Sequence, residues 1–270
     1  MLVSIAVNNY KNPELLRLCL NSIKENYKRT DYEIIVANSA TEEDTEMMMR
    51  EDFPEVRFFP FKENVGFQTL VKKGIEESRG DYIFIINGDI LLNPGSLEKM
   101  LDYLTTHPDV GLLGPQLLNF NGTFQVSRFR FYRPLTIVYR RTFLNKFKFA
   151  QKHLDWFLMK DYDNRDLREV DWLMGSALLF SRENFQKVGF MDPRFFMYME
   201  DVDWCRRFWE KGLKVVYYPQ ATMRHYHGKG SAKGGFWNSI FFNRLTWTHI
   251  FSAIKYFWKY TGKPNPRENV

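Results

Sequence analysis

The chain has 270 residues, 44% of them hydrophobic and 26% charged, so it can bury a sizeable core as one large or two modest domains, and disorder is excluded. Two cysteines, Cys19 and Cys205, are too few for a disulfide framework or a cysteine-rich metal site and agree with a reducing compartment. The net charge of +6 is unevenly placed: residues 128 to 160 hold nine Lys/Arg against Asp155 alone, residues 223 to 270 hold eight against Glu268, and the rest of the chain is acidic.

The N-terminus opens on the alternating run Leu2-Val3-Ser4-Ile5-Ala6-Val7, without the basic head and cleavage site of a signal peptide, so a cytoplasmic location is expected. Strands are expected at 2–8, 32–37, 56–60 and 81–87. Between the first two, Asn12 can cap a helix that has Pro13 at its first position, with Leu16, Cys19, Leu20 and Ile23 on its buried face. Helices near 41–50 and 67–78 complete a β-α-β-α-β-α-β order, which calls for a mostly parallel sheet with helices on both faces. A helix follows Asn93-Pro94, then a strand at 110–115 and a hairpin signal at Asn121-Gly122. Strands near 169–180 and 213–218 bracket a helix at 201–211, in which Arg206 and Arg207 read as surface residues.

Both basic stretches interleave cations with large rings, as in Lys146-Phe147-Lys148-Phe149 and Lys255-Tyr256-Phe257-Trp258-Lys259-Tyr260. If 237–260 is helical, Ile240, Trp247, Phe251, Ile254 and Trp258 form one narrow stripe, which suits either an interfacial helix or packing on the protein body. No apolar stretch reaches the length of a spanning helix uninterrupted. The expected organisation is one composite domain, 1–231, with a basic aromatic tail at 232–270.

In a doubly wound sheet, ligands bind beyond the carboxyl ends of the strands. That rule selects Asn8-Asn9-Tyr10, Asn38-Ser39-Ala40-Thr41, Asn64-Val65-Gly66-Phe67 and Asn87-Gly88-Asp89, each of which is also ordinary turn chemistry. A carboxylate at Asp89 suits Mg²⁺ or Mn²⁺ held against a diphosphate. Glu200-Asp201 opens a helix after a bulky apolar run, a place where acids normally just complement the dipole. The two are adjacent and cannot share one helical face, so one is free to act as a general base. His225 and His227, with Gly228, Lys229 and Gly230, read as a metal or phosphate loop or as a solvated turn.

Taken together these segments resemble family 2 glycosyltransferases, inverting enzymes with the GT-A fold, and in particular bacterial rhamnosyltransferases of cell-surface polysaccharide synthesis. The resemblance runs over about residues 1–231. It is carried in order by Val3–Tyr10, Asn64–Phe67, Val170-Asp171-Trp172-Leu173-Met174-Gly175-Ser176-Ala177, Gly189–Asp192, Phe195–Arg207 and His225 with Gly228 and Ser231. It implies that Asp89 binds the metal with Asn87 as a weaker neighbour and His225 as a further contact. Asp201 is then the catalytic base, with Glu200 supporting the acceptor. Asn8, Asn9, Asn38, Asn64, Gly66 and Asn87 fall on the donor side, and Asp171, Trp172 and Gly175 on the acceptor side. The implied donor is a nucleotide-diphosphate sugar, dTDP-rhamnose before a UDP-sugar. The expected acceptor is a saccharide, polyprenyl-linked, because the basic aromatic segments can hold the protein peripherally on an anionic membrane. Three positions depart from the family pattern: Ala37 in place of a base-reading carboxylate, Lys72 in place of an asparagine, and Gly88 in place of a proline. A basic protein that binds nucleic acid is the rival class; the enzyme reading expects no nucleic acid.

Overall fold

A computed structural model describes residues 1–226 and 244–269. The first half alternates strands and helices: β1 (Val3–Tyr10), α1 (Pro13–Asn26), β2 (Tyr32–Ser39), α2 (Glu43–Asp52), β3 (Arg57–Phe61), α3 (Phe67–Glu77) and β4 (Tyr82–Asn87). Residues Val3 to Asn9 of β1 are all buried, because helices cover both faces of the sheet and a continuous apolar run then outcompetes alternation. Asn12 caps α1 as expected, its side chain accepting from the Leu15 amide, and Leu16, Cys19, Leu20 and Ile23 are buried beneath it. Cys19 is a core residue whose thiol pKa burial pushes up.

The second half adds β5 (Ile90–Leu92), α4 (Ser96–Thr106), β6 (Val110–Leu118), β7 (Phe124–Gln125), β8 (Arg128–Phe129), α5 (Pro134–Arg141) and α6 (Lys148–Phe157). It continues with β9 (Arg168–Glu169), β10 (Trp172–Leu173), β11 (Ala177–Ser181), α7 (Arg182–Val188), α8 (Glu200–Glu210), β12 (Lys214–His225) and α9 (Arg244–Lys259). The main sheet runs β3-β2-β1-β4-β11-β6-β12-β5. Strands β3, β2, β1 and β4 are parallel, and β11 reverses direction against β4. The hairpin expected at Asn121-Gly122 joins β6 to β7. Two apolar cores lie against the sheet, one built on Leu16, Leu20, Met48 and Leu101, the other on Val71, Trp204, Phe208 and Tyr256.

Two expectations need correction. The strand expected over 169–180 is three short pieces in two sheets, because the chain turns at Met174-Gly175-Ser176 to send β10 to β8 and β11 to β4. Arg206 and Arg207 are not surface residues. Arg206 donates to the Pro264 carbonyl at 2.6 Å, and Arg207 donates to Asp203 and to the Val188 and Phe190 carbonyls. Together they tie α8 to its neighbours.

Helix α9 packs on the body with one face only. His249, Ser252, Ala253 and Tyr256 are buried, whereas Trp247, Phe251, Ile254 and Trp258 are exposed. Lys259, at its end, reaches the carboxylates of Asp192 and Asp203. The stripe residue Ile240 and the loop residues His227 to Ser231, with the 231/232 boundary, lie outside the described residues.

Candidate active site

The carboxyl ends of β1, β2 and β4 open into a cleft of about 500 Å³ lined by Asn8, Asn9, Asn64, Gly66, Asn87 and Asp89. Register accounts for the meeting, since Asn8 pairs with Asn87 across β1 and β4 and Asn9 with Asn38 across β1 and β2. Gly88 lies so close to β1 that a Cβ there would stand 2.6 Å from Asn9 Oδ1, which accounts for glycine at this position. Gly66 has φ of +79° and its missing Cβ would meet the Phe196 carbonyl at 2.7 Å. Its amide donates to Asn64 Oδ1, so the loop presents the first turn of α3 to the cleft. The side chain of Asn8 is buried, and neither its amide nitrogen nor its oxygen has a hydrogen-bond partner among the described residues.

Asp89 sits on the turn between β4 and β5. Strand β12 pairs His225 with Ile90, and His225 Nε2 thereby stands 3.4 Å from Asp89 Oδ1. That oxygen is buried without a hydrogen bond. His225 Nδ1 is 2.9 Å from Gln125 Oε1. The imidazole and the carboxylate face one another, a nitrogen and an oxygen ligand of kinds that a divalent ion accepts. Among the described residues no cluster of three or more His, Cys, Asp or Glu forms a ready-made metal cage. One carboxylate and one imidazole suit an ion that takes its remaining oxygens from a diphosphate.

The second group of acids stands at the start of α8. The turn before it is held in the left-handed region at Tyr198 (φ 67°) and Met199 (φ 69°), an arrangement that costs energy and clusters at functional sites. Asp201 Oδ2 accepts from the Gly175 amide at 3.2 Å and Oδ1 from the Val202 amide at 2.9 Å. Burial raises its pKa to about 6 against the pull of those amides. Glu200 is buried with Oε2 unpaired, and burial and the charge of Asp201 hold its pKa well above the usual range. A Cβ on Gly175 would stand 3.1 Å from the Phe67 ring and 3.3 Å from Asp201 Cβ, so Asp201 lies near a ring that lines the cleft, while neither Asp201 nor Glu200 lines it. The two neighbouring carboxyls are thus unequally placed: Asp201 accepts from two backbone amides, whereas Glu200 has an unpaired oxygen and is pushed up by burial and by the charge of Asp201.

Other expected residues lie elsewhere. Asn38 is fully buried one layer behind the cleft, where it accepts from Asn9 at 2.6 Å and donates to Thr41. Asp171 uses both oxygens structurally, accepting from the Phe131 amide and from Arg267, each at 2.6 Å. Trp172 is core, stacked on Phe129 at 4.2 Å with its indole N–H given to the Arg130 carbonyl. Ala37 is buried within β2, and Lys72 pairs with Glu76 outside the cleft. Ser39 and Phe67, within the strand-end segments the rule selected, line the cleft as well, and so does Met197, which was not selected as a site residue. Ser39 carried the strand-end signal of its neighbour Asn38, whereas Met197 carried none beyond its bulk.

The parallel half-sheet with its reversed β11 and the polar cleft at its carboxyl edge have the architecture of GT-A glycosyltransferases. The crystal structure of GalNAc-T7 with UDP, GalNAc and Mn²⁺ superposes with a TM-score of 0.63 at 14% identity, over 84% of this chain and 43% of that one. That likeness bears on the fold alone, and this chain spans less than half the length of that structure. The glycosyl transferase family 2 model matches residues 4–207, and the chain belongs to that family. An N-acetylglucosaminyl-diphospho-decaprenol L-rhamnosyltransferase of Mycobacterium tuberculosis (strain CDC 1551 / Oshkosh) is 28% identical over 214 residues, which cover 74% of this chain and 68% of its own. Rhamnosyltransferase WbbL of Escherichia coli (strain K12) is 32% identical over 87 residues, 32% of this chain and 30% of its own.

Proposed function

We propose that the chain is an inverting rhamnosyltransferase that moves rhamnose from dTDP-rhamnose to a polyprenyl-linked saccharide, at the cytoplasmic side of a membrane, in cell-surface polysaccharide synthesis. The observation that carries this reading is the pair of unsatisfied polar groups in the cleft, the Asn8 amide and Asp89 Oδ1. Such groups cost stability unless a ligand completes them. The names of the rhamnosyltransferase relatives support the sugar and the lipid-linked acceptor.

The diphosphate lies across the strand ends beside Asp89, within reach of the unpartnered Asn8 side chain. Asp89, with His225, would hold a Mg²⁺ or Mn²⁺ ion, which when bound supplies positive charge to the leaving diphosphate. Asp201 accepts the proton of the acceptor hydroxyl as that oxygen attacks C1. The bond from C1 to the phosphate oxygen breaks on the opposite face, and the anomeric configuration inverts. Glu200, next to Asp201, supports the acceptor. Gly175 holds Asp201 in place through its amide.

A panel of sugar nucleotides, assayed for consumption with and without Mg²⁺ and Mn²⁺ and with the product anomer assigned by NMR, tests this. Consumption of dTDP-rhamnose with inversion is expected. Consumption of a UDP-sugar in its place redirects the donor, and no consumption of any donor with either ion sinks the proposal.

A further inference from the structure

We infer that the outward face of α9 is a contact surface for an anionic lipid bilayer. Trp247, Phe251, Ile254 and Trp258 stand at i, i+4, i+7 and i+11, which at 3.6 residues per turn confines them to a stripe roughly 60° wide. Their side chains are 45%, 57%, 58% and 83% exposed. An apolar stripe of this size left in water marks an interaction site. The helix has no freedom to rotate the stripe inward, because the opposite face is already fixed. Ser252 Oγ donates to the Met197 carbonyl at 2.9 Å, the His249 ring packs 4.8 Å from that of Tyr198, and Lys259 is paired with Asp192 and Asp203.

Charge identifies the occupant. Helix α9 contains no acidic residue, and Lys255 is exposed at the margin of the stripe. His249 also reaches Tyr132, two residues before α5, so α9 adjoins the other basic aromatic stretch. There Phe143, Phe147 and Phe149 are exposed beside the exposed cations Lys146, Lys148 and Lys152. Aromatic and branched apolar side chains flanked by lysines match the boundary between acyl chains and anionic headgroups. A second copy of the chain would bring like charges together. Nucleic acid offers nothing for Ile254. The inference stands whatever donor the cleft takes.

The test uses the full chain and two sets of vesicles, phosphatidylcholine alone and phosphatidylcholine with roughly a third phosphatidylglycerol, a composition that gives a negative surface potential. Binding at least about tenfold tighter to the anionic vesicles is expected, together with loss of about tenfold or more in a Phe251→Ser/Trp258→Ser variant. That variant should keep the wild-type melting temperature and the wild-type rate of sugar-nucleotide consumption in free solution. A second readout needs no variant: brominated lipid should quench the tryptophan fluorescence of the wild-type chain. Equal recovery with both vesicles, no recovery with either, or unquenched fluorescence overturns the inference. So does a dimer in solution that the paired variant dissolves, or salt-steep oligonucleotide binding that it abolishes. Loss of donor consumption with vesicle binding intact would count against the proposed activity and leave this surface standing.

Discussion

Glu200 and Asp201 are chain neighbours in unequal surroundings, and that inequality is measurable in two ways. Because the Asp201 pKa is raised to about 6, donor turnover should fall as pH drops through that value, giving an acid limb in the kcat/KM profile. Asp201→Asn should lower turnover by about 10²- to 10⁴-fold while nucleotide affinity, read by calorimetry, is kept. Glu200 has a raised folded-state pKa, so its folded form holds a proton that the unfolded chain has released. Stability is therefore full below the unfolded value of 4.5 and declines as pH rises toward the folded one. Glu200→Gln should flatten that decline in melting temperature. Within the cleft, Asp89→Asn should raise the Mn²⁺ concentration needed for half-maximal donor consumption by about tenfold or more. The identity of these residues was legible in the sequence as acids at strand and helix ends, and the family resemblance supplied their expected roles; the burial of Glu200 and the Gly175 amide on Asp201 were not legible, since they depend on tertiary contacts.

At the scale of elements, the site hangs on loops pinned from behind. The Asn64–Gly66 loop needs the left-handed backbone of Gly66, so Gly66→Ala should cost roughly 1–2 kcal/mol in chemical denaturation and raise the donor KM as Phe196 is displaced. The Met197–Met199 turn is held by α9, which the sequence expected as either an interfacial helix or a packed one. Its buried and exposed faces lie opposite each other, and a single apolar count along 237–260 could not separate them. Similarly, Asp171 and Trp172 sit within a family motif, yet their partners are the Phe131 amide, Arg267 and the Phe129 ring, contacts between segments distant in the chain. Arg206 and Arg207 looked solvated for the same reason. The carbonyls of Val188, Phe190 and Pro264 that they reach have no signature in side-chain chemistry.

Over the whole molecule, the regular half was readable and the irregular half was not. Strands β1, β2 and β4 carry continuous buried apolar runs with helices between them, a pattern that local propensity and burial both favour. The pieces β8 to β10 are two residues each and owe their existence to pairing partners. The buried carboxylate of Asp203 ties α8 to the C-terminal segment, binding Arg207, Lys259 and the Tyr260 hydroxyl at once. Lys259→Met should cost roughly 3 kcal/mol in chemical denaturation, the lower end for a broken buried pair.

This three-way junction also limits how the protein can be divided in the laboratory. The family-matched stretch ends at residue 207, within α8, so an expression fragment trimmed to that boundary would keep Asp203 and Arg207 but discard Lys259 and Tyr260. A carboxylate with no exposure in the intact chain would be stripped of two of its three partners, and the apolar side of α8 would be laid open. Such a fragment should aggregate on expression, while one that continues through residue 269 should stay dispersed.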